Sequence, residues 1–284
     1  MISLSDIIIG LVIGCGYALL ALGWTVLLGA ARVVNFAHGQ LYMLGAFVTW
    51  WTMTQFGVPY WLGLIITLVL VGTIGGLMQT ILLRMTMKHD LVRIMIVTLG
   101  FGYIITALAT ILFGGNAQQL NSPLQSKDIT VLGTALTFQD LLVVVLTVVL
   151  FGLTSLVLRR TRLGRVIRAV AEDPQLAELG ALRPSWVYIG VFAFSAALAA
   201  VAGALLTTQG PVFTSVGSDE VIFTFVIVVL GGVGRIWGNL IAALAVGLFT
   251  SLFGALASPA YTTAVLFALV LVVFAIRPQG VQRQ

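Results

Sequence analysis

From Ile7 to Ala31 the chain carries no formal charge, the stretch being bounded by Asp6 and Arg32. That run exceeds the ~20 apolar residues needed to cross the hydrocarbon of a bilayer as a helix. It is the first of several. From Val33 to Leu83 there is again no charge, and a turn signal at Gln55-Phe56-Gly57-Val58-Pro59 divides the stretch into two spans. Further runs read as Ile94 to Phe113, Leu141 to Leu158, Trp186 to Thr208, Trp237 to Ala257 and Tyr261 to Ile276, the last two separated by Ser258-Pro259. The run Val221 to Gly234 is shorter, about 21 Å against a core of about 30 Å, and reads as a broken or tilted helix. The fold class expected is all-α: a polytopic transmembrane bundle of eight to nine segments, some broken, forming a single domain over 1–284.

Composition agrees. Hydrophobic residues make up 60% of the chain and charged residues 8%, where a soluble domain carries about 25% charged. The net charge of +5 does not point to nucleic acid, because the basic residues sit in short gaps between apolar runs with no aromatic-interleaved patch. Sorted by gap, 13 of the 14 Lys and Arg residues fall on one face, and only Lys127 on the other. The bias of basic loops toward the cytoplasm then predicts an N-terminus outside, a C-terminus inside, and a cytoplasmic loop over 159–185. No Lys or Arg precedes the first run, so it is expected to stay in the mature protein rather than to act as a signal peptide. Trp50, Trp51, Tyr60 and Trp61 flank the 55–59 turn as an interfacial aromatic belt would. Cys15 is the single cysteine, which excludes an internal disulfide or a multi-cysteine metal cluster.

Small-xxx-small pairs recur at Gly10/Gly14, Gly72/Gly76, Ala199/Gly203 and Gly234/Gly238, and predict close helix packing rather than a substrate site. Three segments carry more. Arg32 to Gln40 is polar and glycine-containing between two apolar runs, so Asn35, His38 and Gln40 must find partners near or below the membrane surface. It is either a broken helix lining a translocation path or an inner-face loop that dips slightly. Gly231-Gly232-Val233-Gly234 through Gly238 interrupts the short run, and paired interruptions in two halves of a chain are a pointer to a translocation site. Gly231, Gly232 and Gly234 therefore join Asn35, His38 and Gln40 as path candidates.

The third segment is the 159–185 loop. Leu163, Val166, Ile167 and Val170 recur at helical spacing with Arg162, Arg165 and Arg168 off the stripe, which predicts an amphipathic helix along the interface. Glu172-Asp173-Pro174 reads as a stop and restart, with Asp173 as cap, Pro174 at the first helical position and Gly180 closing a short second helix. A lipid-facing basic helix accounts for the arginines; a second, capped helix displaying Gln175, Ala177 and Glu178 reads as a docking element for a cytoplasmic partner. No phosphate-binding loop, zinc-protease HExxH or nucleophile elbow is present, and the well-defined spans hold no carboxylate of the kind that couples transport to protons or sodium. Any uphill transport would need energy from another subunit.

Four motifs in order, Gly16-Tyr17-Ala18-Leu19-Leu20-Ala21-Leu22-Gly23, then Val34-Asn35-Phe36-Ala37-His38-Gly39, then Gly164-Arg165 through Ala171-Glu172-Asp173-Pro174 to Leu179-Gly180, then Gly231 to Gly238, resemble the inner-membrane permease subunits of branched-chain amino acid ABC importers. The resemblance spans nearly the whole chain. It implies a bacterial inner-membrane permease that is not itself an enzyme, paired with a homologous permease, two cytoplasmic ATPase subunits that hold the ATP and Mg, and a periplasmic solute-binding protein. It makes the segment with Arg165, Glu172, Asp173, Pro174, Ala177 and Gly180 the ATPase-coupling element, and outward loops with Asp219 and Glu220 the docking place for the binding protein. Permeases for urea or short-chain amides look similar over the same motifs, and a stand-alone channel could use the same glycine breaks.

Overall fold

The computed structural model describes residues 3–85, 91–120, 122–131, 133–256, 261, 264–266 and 268. Among the described residues α-helices dominate: α1 (Leu4–Ala31), α2 (His38–Phe56), α3 (Tyr60–Met85), α4 (Leu91–Phe113), α5 (Phe138–Arg160), α6 (Arg162–Glu172), α7 (Pro174–Leu179), α8 (Pro184–Leu206), α9 (Val216–Gly231) and α10 (Ile236–Leu256). Two small antiparallel ribbons complete it: β2 (Asp128–Val131) with β3 (Thr134–Thr137), and β1 (Gln118–Gln119) with β4 (Pro211–Val212). Among the described residues, six helices (α1, α3, α4, α5, α8 and α10) are long and apolar enough to cross a membrane. The expected run from Tyr261 to Ile276 lies mostly outside the described residues.

The helix ends follow local chemistry. α1 opens on Ser3, whose hydroxyl accepts from the Asp6 N–H while the Asp6 carboxylate accepts from the Ser3 N–H; Thr137 and Asp140 open α5 the same way. Such reciprocal boxes satisfy backbone donors that a helix start leaves without partners. α2 closes on Gly57 in the left-handed region, φ 60°, and α3 begins at Tyr60, as the 55–59 turn signal predicts.

α2 sits at the centre. It packs against α8, α3, α9 and α4, while α1 lies along α10 and α8, and α3 runs along α8. Between helices in lipid no hydrophobic effect operates, so contact depends on how closely backbones approach. Gly10 and Gly14 of α1 face α10 around Gly247, Gly72 of α3 meets Ala193 and Ala197 of α8, and Gly203 of α8 abuts the Tyr42 carbonyl of α2. The pair Gly234/Gly238 behaves differently: Gly234 lies in a turn ahead of α10, so the two do not form one helical stripe.

Two further expectations change. Tyr60 does not stand in an interfacial belt; it is 1% exposed, and its hydroxyl donates to the Ala204 carbonyl (3.2 Å) and accepts from Gln139 Nε2 (3.0 Å). A phenol with two protein partners is satisfied inside the bundle and has no need of the headgroup zone. Second, α9 starts at Val216, ahead of the expected Val221, because the turn at Phe213–Ser215 initiates it. Asp219 and Glu220 therefore belong to a helix rather than to a loop.

Candidate translocation and coupling sites

The segment between α1 and α2 is held by side chains from α1 and α4. Trp24 Nε1–H of α1 donates to the Asn35 carbonyl (3.1 Å), and the Phe36 N–H donates to Thr98 Oγ1 of α4 (3.2 Å). Asn35 Oδ1 accepts from the Ala37 N–H (3.0 Å), which turns the chain into α2. Asn35 and His38 are both buried, at 1% and 0% exposure. His38 Nε2 lies 3.1 Å from the Leu20 carbonyl. A carbonyl can only accept, so Nε2 carries the proton and Nδ1 presents a bare lone pair; that atom is buried without a partner. Gln40 is half-buried and lies over Gly102 of α4.

One contact sets how closely α2 and α9 approach. Gly39 of α2 and Gly217 of α9 pack backbone to backbone, each standing where the other's Cβ would be; a Cβ on Gly39 would also come within 3.0 Å of Val221 Cβ. No larger residue fits at either place.

The second break follows α9. Gly232 (φ 92°) and Gly234 (φ 75°) occupy the left-handed region that L side chains rarely adopt. A turn closed by the Arg235 N–H on the Gly232 carbonyl (3.1 Å) leads into α10. Gly231 packs on Asn239, whose Nδ2 donates to Thr25 Oγ1 of α1 (2.6 Å). Gly234 touches Gly29 of α1, a Cβ on Gly29 falling 3.0 Å from the Gly234 Cα. Both breaks are set against the second half of α1, at Trp24, Thr25 and Gly29.

Glu220 of α9 is half-buried and near enough to the phenols of Tyr17 and Tyr42 to act on them electrostatically. Asp219 lies in the same helix turn.

The 159–185 segment forms the two expected helices. In α6, Val170 is buried, Val166 and Ile167 are half-buried, and Arg162, Arg165 and Arg168 are exposed. Gly164 lets α6 fold back against the Val157 and Leu158 carbonyls of α5. Asp173 caps α7, its Oδ1 accepting from the Gln175 (2.9 Å) and Leu176 (3.0 Å) N–H groups, with Pro174 at the first position. Arg165 and Glu172 are exposed.

One detail of α7 differs from expectation. Ala177 is not displayed but buried, at 6% exposure, because the Leu182 N–H reaches back to its carbonyl (3.0 Å) and folds the following chain over it. The exposed apolar residues are Leu176 at 68% and Leu179 at 86%. Gly180 closes the helix as expected, its N–H donating to the Leu176 carbonyl (3.2 Å), and Ala181 follows in the left-handed region (φ 60°).

Trp24, Thr98, Asn239 and Gly217 escape a reading of the sequence. Trp24, Thr98 and Asn239 sit inside apolar runs and Gly217 in a polar gap between two, and the role of each comes from a partner far along the chain.

Comparison with known proteins bears on the same segments. The family model described as the branched-chain amino acid transport system permease component matches residues 7–274. The high-affinity branched-chain amino acid transport system permease protein BraD of Pseudomonas aeruginosa is 30% identical over 297 residues, covering 98% of this chain and 95% of the relative. The permease protein LivH of Escherichia coli is 28% identical over 286 residues, covering 96% and 92%. The fructose import permease protein FrcC of Rhizobium meliloti is 28% identical over 234 residues, covering 76% and 62%. No solved structure matches the chain. The family model takes in both glycine breaks, the helix they share and the capped α6–α7 segment, and on that match this multi-pass membrane protein belongs to the family of branched-chain amino acid transport system permease components.

Proposed function

We propose that the chain is the membrane-spanning permease of an ATP-driven importer that moves branched-chain amino acids, or similarly small polar solutes, into the cytoplasm. The observation that carries this reading is α7, a short capped helix anchored by Ala177 that turns Leu176 and Leu179 away from the bundle. Two neighbouring leucines left bare beside exposed charges suit a surface that a partner covers. In this reading Asp173, Pro174 and Gly180 set the ends of the coupling helix, Ala177 seats it, and Arg165 and Glu172 flank it toward the ATPase. The two ATPase subunits bind ATP and Mg; a homologous permease supplies the other half of the path.

The charge sort supports an N-terminus outside and a C-terminus in the cytoplasm, with eight to nine crossings in one domain over 1–284. Asn35, His38, Gln40, Gly231, Gly232 and Gly234 form or support the path. The outer end, with the 114–137 connection and the start of α9 at Asp219 and Glu220, receives the solute-binding protein.

The test is uptake of radiolabelled leucine into proteoliposomes holding the permease pair, its ATPases and its binding protein. Uptake is expected to require ATP inside, and L176D/L179D to lower it by at least about tenfold, as loss of central interface anchors does, while the chain still inserts. Leucine flux down its gradient through this chain alone would make it a facilitator, and full uptake by the double variant would remove α7 from the coupling.

A further inference from the structure

Away from their ends, the membrane-length helices of the described chain turn almost only apolar side chains outward, as hydrocarbon surroundings require. Where a hydroxyl is turned out as well, its own helix satisfies it: Thr73 donates to the Val69 carbonyl (2.7 Å) and Thr110 to the Thr106 carbonyl (2.9 Å). Tyr103 of α4 breaks this rule. It is 71% exposed, and among the described residues nothing hydrogen-bonds to its hydroxyl. A phenolic oxygen, held off its backbone by a rigid ring, has no such recourse to its own helix.

Its depth makes the lack of a partner costly. At 1.5 Å per residue Tyr103 lies about 18 Å along α4 from Leu91 and about 15 Å from Phe113, so in a helix crossing about 30 Å of hydrocarbon it stands near the middle. From there the tip of a tyrosine cannot climb to the headgroups, as the long side chains of Lys and Arg near helix ends do. No water is present at that depth to bond it, and lipid tails offer no acceptor. A hydroxyl so placed needs an acceptor carried into the membrane by another polypeptide.

The surface around the phenol suits a helix. Ile96, Gly100, Tyr103, Ala107 and Ile111 follow one another at intervals of four, three, four and four residues, which puts them on one face. All five are exposed, Ile96 at 66% and Ile111 at 77%. Nothing lies within 4 Å of a Cβ placed on Gly100. With small residues on either side of the phenol, a neighbouring backbone can come close, which is how helices associate in lipid. The opposite face of α4 is already used, since it rests chiefly on α2 and more lightly on α3.

We infer that this face of α4 is where the second, homologous permease of the importer docks, one of its membrane helices presenting a hydrogen-bond acceptor to the Tyr103 hydroxyl at mid-bilayer. The ATPases and the binding protein of such an importer meet the bundle at its two ends and cannot reach the middle of the membrane, which leaves the other permease to supply the acceptor. The partner's identity rests on the function proposed above; the need for a membrane-embedded acceptor does not.

The experiment introduces the photoreactive residue Tyr103→p-benzoylphenylalanine into the assembled complex in native membranes. Ile241→p-benzoylphenylalanine, at a similarly bare position of α10 (62% exposed), serves for comparison. Irradiation is expected to join position 103 to the second permease, and position 241 to lipid alone. In the complex extracted into mild detergent, Y103F removes only the hydroxyl and should weaken permease pairing about threefold, the size of one hydrogen bond between membrane helices. G100W fills the open space on the face and should weaken it by about tenfold or more, and both variants should leave the unfolding temperature of the separated chain unchanged. Adducts of position 103 with lipid alone, or pairing untouched by both variants, overturn the proposal. A permease adduct from 241 and none from 103 moves the interface to α10, and an adduct joining two copies of this chain replaces the homologous partner by a second copy. If no other permease accompanies the chain, the importer reading fails along with the inference; a permease that accompanies it without reaching position 103 defeats the inference alone.

Discussion

Gly39 and Gly217 each fill the space a methyl group would need on the other, and this pair sets how close α2 and α9 come. G39A should therefore lower the unfolding temperature in detergent, by the equivalent of about 1–3 kcal/mol or more, because the obstacle is backbone and cannot swing aside. G100A is the matched control. Nothing lies within 4 Å of a Cβ at Gly100 of α4, so that change should be neutral or stabilise by up to about 1 kcal/mol through helix propensity. Equal effects at the two positions would show that the packing around α2 is looser than described. The same pair marks where reading the sequence stops. The segment from Asn35 to Gly39 was recognisable as polar and in need of partners; that the partners are Trp24, Leu20 and Thr98 was not, because they are scattered through runs chosen for greasiness. Tyr60 shows the reverse: its place beside a turn suggested an interface, whereas Gln139 and Ala204, remote in the chain, draw it inside.

At the scale of elements, the runs without charge translate almost directly into helices, since each boundary has a local cause: a capping box at Ser3, a left-handed glycine at Gly57, a capping Asp173. α9 resisted because its start depends on a turn among ordinary residues and its end on two glycines in the left-handed region. α7 was legible as a capped helix but not in the direction it faces; burial of Ala177 is decided by Leu182 folding back, which no helical periodicity encodes over so short a length. D173A removes both capping bonds of α7 and should cost about 1 kcal/mol of local stability. Hydrogen exchange is the suitable measurement: amides of 174–180 should exchange faster by about fivefold, with α6 and α8 unaffected. If α6 frays as well, the two helices form one cooperative unit and the stop at Asp173 is not a true break.

For the molecule as a whole, the arginines at 32, 159–168, 183 and 235 gather at the end where α1, α5 and α9 finish and α8 and α10 begin, while Lys127 lies in the connection at the other end. Cysteines placed at 127 and 165 should thus react with a membrane-impermeant maleimide from opposite sides of intact cells, position 127 from outside. Cys15 is buried and should contribute little background. Labelling of both from one side would overturn the orientation and with it the cytoplasmic assignment of α7. The Lys127 end has one more property. There β1 and β4 pair across the chain, the Gln125 side chain donates to the Thr208 carbonyl, and Gln139 bridges Tyr60 and Leu205. These ties fasten the helix ends there to one another, whereas at the arginine end the α9–α10 junction turns on Gly232 and Gly234 in the left-handed region. A body fastened at one mouth is expected to yield at the other, with the buckled rim as its fulcrum.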